Sequence, residues 1–210
     1  MLLGLPTTAS AVTHVAPAPG ASTSDLHPTF SWTLDGHEVN VIQVSKLQRT
    51  TVDGEFYDED HVTGDALDSS ATAWQPTSAI PSGTYWWNVQ WYTPDFSSTG
   101  YTAPTSFRIP PDIHGLGQRL SQSTYSPTMT VTASWWSNTP TTKATCSIYR
   151  KGRRVARTSD SSSYPTIGGT NTAYCYLRLR ERWDGLRFKA VLTVSGGGIA
   201  RSTSRYFTAR

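Results

Sequence analysis

The stretch Pro81-Ser82-Gly83-Thr84-Tyr85-Trp86-Trp87-Asn88-Val89-Gln90-Trp91 decides the fold class. Pro-Ser-Gly signals a turn. Beyond it, Tyr85, Trp87, Val89 and Trp91 share one face of an extended chain, while Trp86, Asn88 and Gln90 take the other. Aromatic and β-branched residues alternating with polar ones mark a half-buried antiparallel strand. Such a strand needs partners, and most of the preceding sequence reads as candidates for them.

Upstream, Phe30, Trp32 and Leu34 alternate with Ser31 and Thr33, Asp35-Gly36 is a turn signal, and Val39 to Ser45 is rich in β-branched residues. Trp32, Tyr85, Trp87 and Val89 are expected to be buried together. Thr50 to Ser70 reads as an acidic, irregular stretch, followed by a short strand at Ala71 to Trp74. A strand near Thr105 to Ile109 ends at Pro110-Pro111, which cannot continue a ladder. Residues 12–24, rich in Ala, Pro and Ser, read as a flexible, extended leader.

Composition agrees with an all-β chain: Thr, Ser, Gly and Pro are abundant, and 8 Trp and 10 Tyr suit short strands joined by turns. The 210 residues leave room for two domains. Charge divides at the same place. Residues 12–109 hold three Lys and Arg against eleven Asp and Glu, whereas residues 110–210 hold fifteen against four. No apolar run is long enough to span a membrane. Residues 1–11 end in Ala9-Ser10-Ala11 after a short apolar run, as the tail of a secretory signal does; they read as a truncated signal-like segment or a loose tail.

The order Pro28-Thr-Phe-Ser-Trp32, then Pro81-Ser-Gly-Thr-Tyr-Trp-Trp-Asn-Val89, then Ser106-Phe-Arg-Ile109 resembles a bacterial fibronectin type III-like domain over residues 25–110. The resemblance implies two antiparallel sheets with Greek-key wiring and no activity of its own. The long acidic insertion departs from it. Residues 111–210 repeat the plan more weakly and look like another fibronectin- or immunoglobulin-like sandwich. Met129, Val131, Ala133 and Trp135 share a face, as do Ala173, Cys175, Leu177 and Leu179, and Leu186, Phe188, Ala190, Leu192 and Val194.

Cys146 and Cys175 both fall on inward faces. In the fibronectin strand order they would occupy opposite sheets, so a disulfide could pin the sandwich; two buried free thiols are the alternative. The signal-like N-terminus favours the disulfide, because such bonds persist in oxidising compartments.

The basic residues Arg150, Lys151, Arg153, Arg154 and Arg157 crowd one hairpin, and Arg178, Arg180, Arg182, Arg187 and Lys189 follow. Arg187 and Lys189 are expected to point outward with Tyr149 on a neighbouring strand. That face could hold an acidic polymer, or serve only solubility or docking on the acidic half. The acidic run Asp53, Glu55, Asp58, Glu59, Asp60, Asp65 and Asp68 lacks the EF-hand pattern, so a solvated loop is expected in place of a Ca²⁺ site. No Gly-x-Ser-x-Gly, phosphate loop or His-Glu-x-x-His occurs, and the five histidines fall in predicted loops and leader.

The reading is a secreted or cell-surface, non-catalytic adhesion, spacer or binding module made of two tandem β-sandwiches. It is expected to be monomeric, to need no cofactor, to take a protein or polysaccharide partner, and not to bind nucleic acid. The alternatives are a dedicated carbohydrate- or polyanion-binding protein and an accessory segment of a larger secreted enzyme.

Overall fold

β-Strands dominate the computed structural model, which describes residues 12–123, 127–162 and 166–210; the signal-like residues 1–11 lie outside them. The chain divides between Pro110 and Pro111 into two units, each an all-β sandwich.

The first unit contains β1 (Thr13–Ala16), β2 (Ala21–Ser22), β3 (Phe30–Thr33), β4 (Glu38–Ser45), β5 (His61–Ala66), β6 (Ala73–Trp74), β7 (Gly83–Tyr92), β8 (Thr99–Tyr101) and β9 (Thr105–Ile109). One sheet runs β1-β3-β6 and the other β2-β9-β7-β4-β5, with β8 also on β7. The decisive strand is therefore central, flanked by β4 and β9. Trp32, Tyr85, Trp87 and Val89 are all buried. The Trp87 ring lies 5.2 Å from Phe30 and 6.4 Å from Trp32 between centroids, joining the two sheets.

Residues 12–24 are not a leader. Val12 is buried, β1 pairs antiparallel with β3, and β2 pairs parallel with β9. Pro17, Pro19 and Gly20 interrupt the ladder between them, so one extended segment serves both sheets in turn. The first unit accordingly begins before residue 25. His14 is part of it, stacked on Trp87 at 3.8 Å, with its ring nitrogens 2.5 Å from Thr105 Oγ1 and 2.7 Å from Thr102 Oγ1. Burial pushes its pKa down to about 4. His61 and His114 also lie in strands, not loops.

Two local devices set the strand faces. In β4, Val39 faces Trp91 but Val41 faces Gln90, so Asn40 is an extra residue. The bulge changes the inward parity from Val39 to Ile42 and Val44, all three fully buried. At the start of β7, the Tyr85 hydroxyl donates to the Pro81 carbonyl at 2.9 Å. Gly83 leaves the room, since a Cβ there would sit 2.9 Å from that hydroxyl.

The acidic stretch is not irregular throughout, since it contains β5 and a cover over β4 and β7, but its carboxylates other than Asp60 are exposed as expected. Phe56 is buried, and its N–H donates to Gln43 Oε1 at 3.1 Å. Gln43 Nε2 donates to Glu55 at 3.2 Å, and Asn88 Nδ2 to the Gly54 carbonyl at 2.7 Å. The outward polar residues of β4 and β7 are thus sealed by residues 54–56. Arg49 donates to Asp60 and Glu59, and β5 then pairs with β4. Among the described residues, no three His, Cys, Asp or Glu side chains gather closely enough to hold a metal ion.

The second unit contains β10 (Ile113–Gln122), β11 (Thr128–Ser137), β12 (Thr142–Arg150), β13 (Arg153–Ser162), β14 (Gly169–Arg178), β15 (Arg187–Gly196) and β16 (Ile199–Thr208). Its sheets run β10-β11-β14 and β13-β12-β15-β16. A single core joins them, built from Met129, Val131 and Trp135 on one side and Ile148, Phe188 and Leu192 on the other. Cys146 on β12 and Cys175 on β14 are disulfide-bonded across the sandwich, with Cα atoms 6.1 Å apart. No helix among the described residues is long and apolar enough to cross a membrane.

Two outcomes test this packing. Trp87→Ala should lower the first unit's unfolding free energy by about 3–5 kcal/mol in denaturant titrations, as emptying a core aromatic site does. A near-neutral result would contradict the central place of that ring. The second outcome concerns pH. Because His14 is held neutral, the unfolded state binds its proton first, so stability falls as pH drops from about 6.5 towards about 4. Melting temperatures across that window should fall less in His14→Gln than in the parent chain.

Candidate functional site

The outer face of β13-β12-β15-β16 carries the strongest concentration of charge and aromatic surface. Lys151 and Gly152, with φ of 48° and 79°, turn β12 into β13. Both central residues in the left-handed region give the tight turn whose twist matches a hairpin. Gly197 and Gly198, at 57° and 81°, do the same between β15 and β16. With cores of Cys146 and Ile148 on β12 and Phe188, Ala190 and Leu192 on β15 facing inward, the intervening residues must face out.

The ladders then align one transverse row. Arg154 pairs with Tyr149, Tyr149 with Lys189, and Lys189 with Tyr206. Residues directly opposite each other share a face, so cation and ring alternate across all four strands. The Arg187 guanidinium sits 4.7 Å over the Tyr206 ring, a cation–π contact that adds a further positive charge at the row's end. An open cleft of about 730 Å³ lies along this row, lined by Tyr149, Lys151, Arg187, Lys189, Val191 and Tyr206 together with Gly152 and Phe188. No carboxylate is in that lining. Within the described residues, none of the row's cations forms an ion pair; the salt bridges there are Arg49 with Glu59 and Asp60, and His114 with Asp112.

Of the residues singled out from sequence, Tyr149, Lys151, Arg187 and Lys189 meet at the cleft, and Arg154 extends its row. Arg157 faces Ser147 one row further along, and Arg150 pairs with Arg153 at the hairpin end, outside the lining. Arg178 belongs to the other sheet, while Arg180 lies 5.7 Å over Trp183. Tyr206 was not singled out. The two-residue Gly197-Gly198 turn held the signal, because counting back from it places Tyr206 opposite Lys189. The half-buried tryptophans are not part of this face: Trp136 stacks under His114 at 4.4 Å and Trp74 lies 5.6 Å from Phe30.

No family model matches the chain, and no curated protein matches it. Among solved structures it is similar to α-L-rhamnosidase from Dictyoglumus thermophilum (11% identity, TM-score 0.32, covering 94% of this chain and 29% of the enzyme). It is also similar to the FN1–FN3 domains of chicken CNTN1 (10%, 0.31, 95% and 66%) and to dimeric latent PorU from Porphyromonas gingivalis (11%, 0.35, 98% and 21%). The chain spans less than a third of the rhamnosidase. At these scores the likenesses carry no argument about what the cleft does.

The disulfide fixes the platform, since Cys146 lies three residues before Tyr149 on β12. Replacing both cysteines with Ala should destabilise the second unit by about 3–4 kcal/mol in denaturant, the loop-closure value for a ring of this size. A loss below about 1 kcal/mol would mean that loop closure in the unfolded chain is not what the bond supplies.

Proposed function

We propose that the chain is a non-catalytic binding module of an extracellular protein, and that the outer face of β13-β12-β15-β16 holds an acidic partner. The observation that carries this reading is the cleft itself: three cations and two tyrosines around an open surface, with no carboxylate, histidine, cysteine or serine in the lining. General acid–base or nucleophilic chemistry is most often carried by a His, carboxylate, Cys or Ser paired with a second group, whereas Lys and Tyr are the titratable side chains of this lining besides Arg187. Charge and flat rings instead suit retention of a polyanion by ion pairing and stacking. The Cys146–Cys175 disulfide supports an oxidising compartment.

The strand order supports fibronectin type III-like modules. In each unit three strands face the remainder, and from β3 in the first and β11 in the second the chain passes between sheets in the same sequence; before β3, the first unit's opening segment visits both sheets. The Tyr85 bond back to Pro81 fits the tyrosine corner of such sandwiches. The basic second unit then presents the binding face, and the first acts as its acidic companion and spacer.

Titration of the whole chain with heparin, followed by calorimetry at low and at about 150 mM salt, tests this. At the higher salt, exposed charges are screened beyond about 8 Å. Binding that weakens with salt and is lost in an Arg187→Glu, Lys189→Glu variant is the expected outcome. Absence of binding at low salt to heparin and to sparsely charged acidic polysaccharides alike would overturn the reading, and unchanged binding in the variant would move the site elsewhere.

A further inference from the structure

The cleft is patterned as well as charged, and its pattern restricts the polymer. Neighbouring strands lie about 4.8 Å apart, so residues on alternate strands are separated by about 10 Å. Arg154 and Lys189 stand on alternate strands, and so do Tyr149 and Tyr206. Across the sheet the sequence is cation, ring, cation, ring, one group per strand.

We propose that this row binds an acidic polysaccharide charged on every second sugar, lying across the strands. This deepens the binding role proposed above and rests on it. A pyranose in a linear glycan advances the chain by about one strand spacing. A uronate over Lys189 therefore places the neutral sugars on either side over Tyr149 and Tyr206, and the next uronate over Arg154. Each carboxylate meets a cation, and each neutral ring lays apolar C–H surface on a tyrosine.

A polymer charged on every unit fits worse. It would set an anion against the negative face of Tyr149, where the row offers no cation, whereas Arg187 supplies one at Tyr206. A neutral glycan would use the rings and leave Lys189 and Arg154 without a counter-charge. Lys189, on an inner strand between the two tyrosines, is half-buried, whereas Tyr206 on the edge strand is 59% exposed. The central cation thus stands on an inner strand with a ring on each side. Arg187, on the Tyr206 ring, holds that ring from one side and keeps a positive charge beside the outermost sugar.

The test uses the whole chain and four probes of matched length. They are hyaluronan fragments, with a uronate on alternate sugars; polygalacturonate, with one on every sugar; a neutral cello-oligosaccharide; and a single-stranded oligonucleotide. The hyaluronan fragment should bind tightest, by about tenfold or more over each of the others. Tyr149→Ala and Tyr206→Ala should each weaken hyaluronan binding several-fold and leave polygalacturonate binding unchanged. Lys189→Gln should abolish hyaluronan binding while Lys189→Arg retains it, with circular dichroism and melting temperature confirming that each variant folds. Equal binding of hyaluronan and polygalacturonate, or equal sensitivity of both to the tyrosine substitutions, overturns the alternating pattern and leaves a charge-only binding face. Preference for the oligonucleotide overturns the polysaccharide. Failure of every anionic probe removes the binding reading as well.

Discussion

Register is the constraint on which the candidate site depends. Lys151-Gly152 and Gly197-Gly198 each join two long strands through only two residues, all with positive φ. A turn that short leaves no freedom to slide one strand past the other. A slip of one residue in β15 would put Phe188 and Leu192 into solvent and Lys189 into the core. The apolar faces thus lock the register from inside, and the turns lock it at the strand ends. Tyr149, Lys189 and Tyr206 become neighbours as a consequence of both.

The two units seal their large sheets differently. In the first, the outer face of β4 and β7 carries Gln43 and Asn88, and both are covered by residues 54–56 with their amides hydrogen-bonded. Gln43 is bonded through both of its amide atoms and Asn88 through its nitrogen, while Asn88 Oδ1 is buried with no partner among the described residues. The equivalent face of the second unit carries Thr145, Lys189 and Arg187, with Arg187 and Tyr206 exposed. Long cations cannot be buried without partners at acceptable cost. Their side-chain chemistry keeps that face open to water and to a ligand.

The strands with period-two patterns were legible, because each buries one face: β3, β7, β11, β14 and β15 all present inward the residues that alternation selects. The cysteine pair was legible for the same reason. What escaped was structure held by non-periodic contacts. β1 and β2 are short and flanked by prolines, and only their distant partners β3 and β9 make them strands. β10 is polar, with glycines at 115 and 117, and its register shifts between His114 and Gly117. β5 sits on a sheet edge amid acidic residues. Phe56 stands beside Tyr57 in an acidic run, with no periodicity to indicate that Phe56 is buried and Tyr57 exposed. On the cationic face, Tyr149 and Lys189 could be placed from their strands' alternation. Tyr206 lies on an edge strand that alternates between polar residues, so only the register revealed it.

Charge and covalent structure are connected in the second unit. Residues 110–210 carry eleven more positive than negative charges, concentrated on sheets only two layers thick. Like charges on a compact body repel and favour the expanded chain. The first unit relieves its own excess locally, with Arg49 between Asp60 and Glu59 and Gln43 on Glu55. The second has few acids with which to do so. Its disulfide acts on the opposite side of the equilibrium, because tying Cys146 to Cys175 restricts the unfolded ensemble in which the charges could separate. The bond joins the strand that carries Tyr149 to the facing sheet, so the same tie that offsets repulsion also holds the row of cations and rings in place. The bond thus anchors from beneath a face whose cations form no ion pair among the described residues.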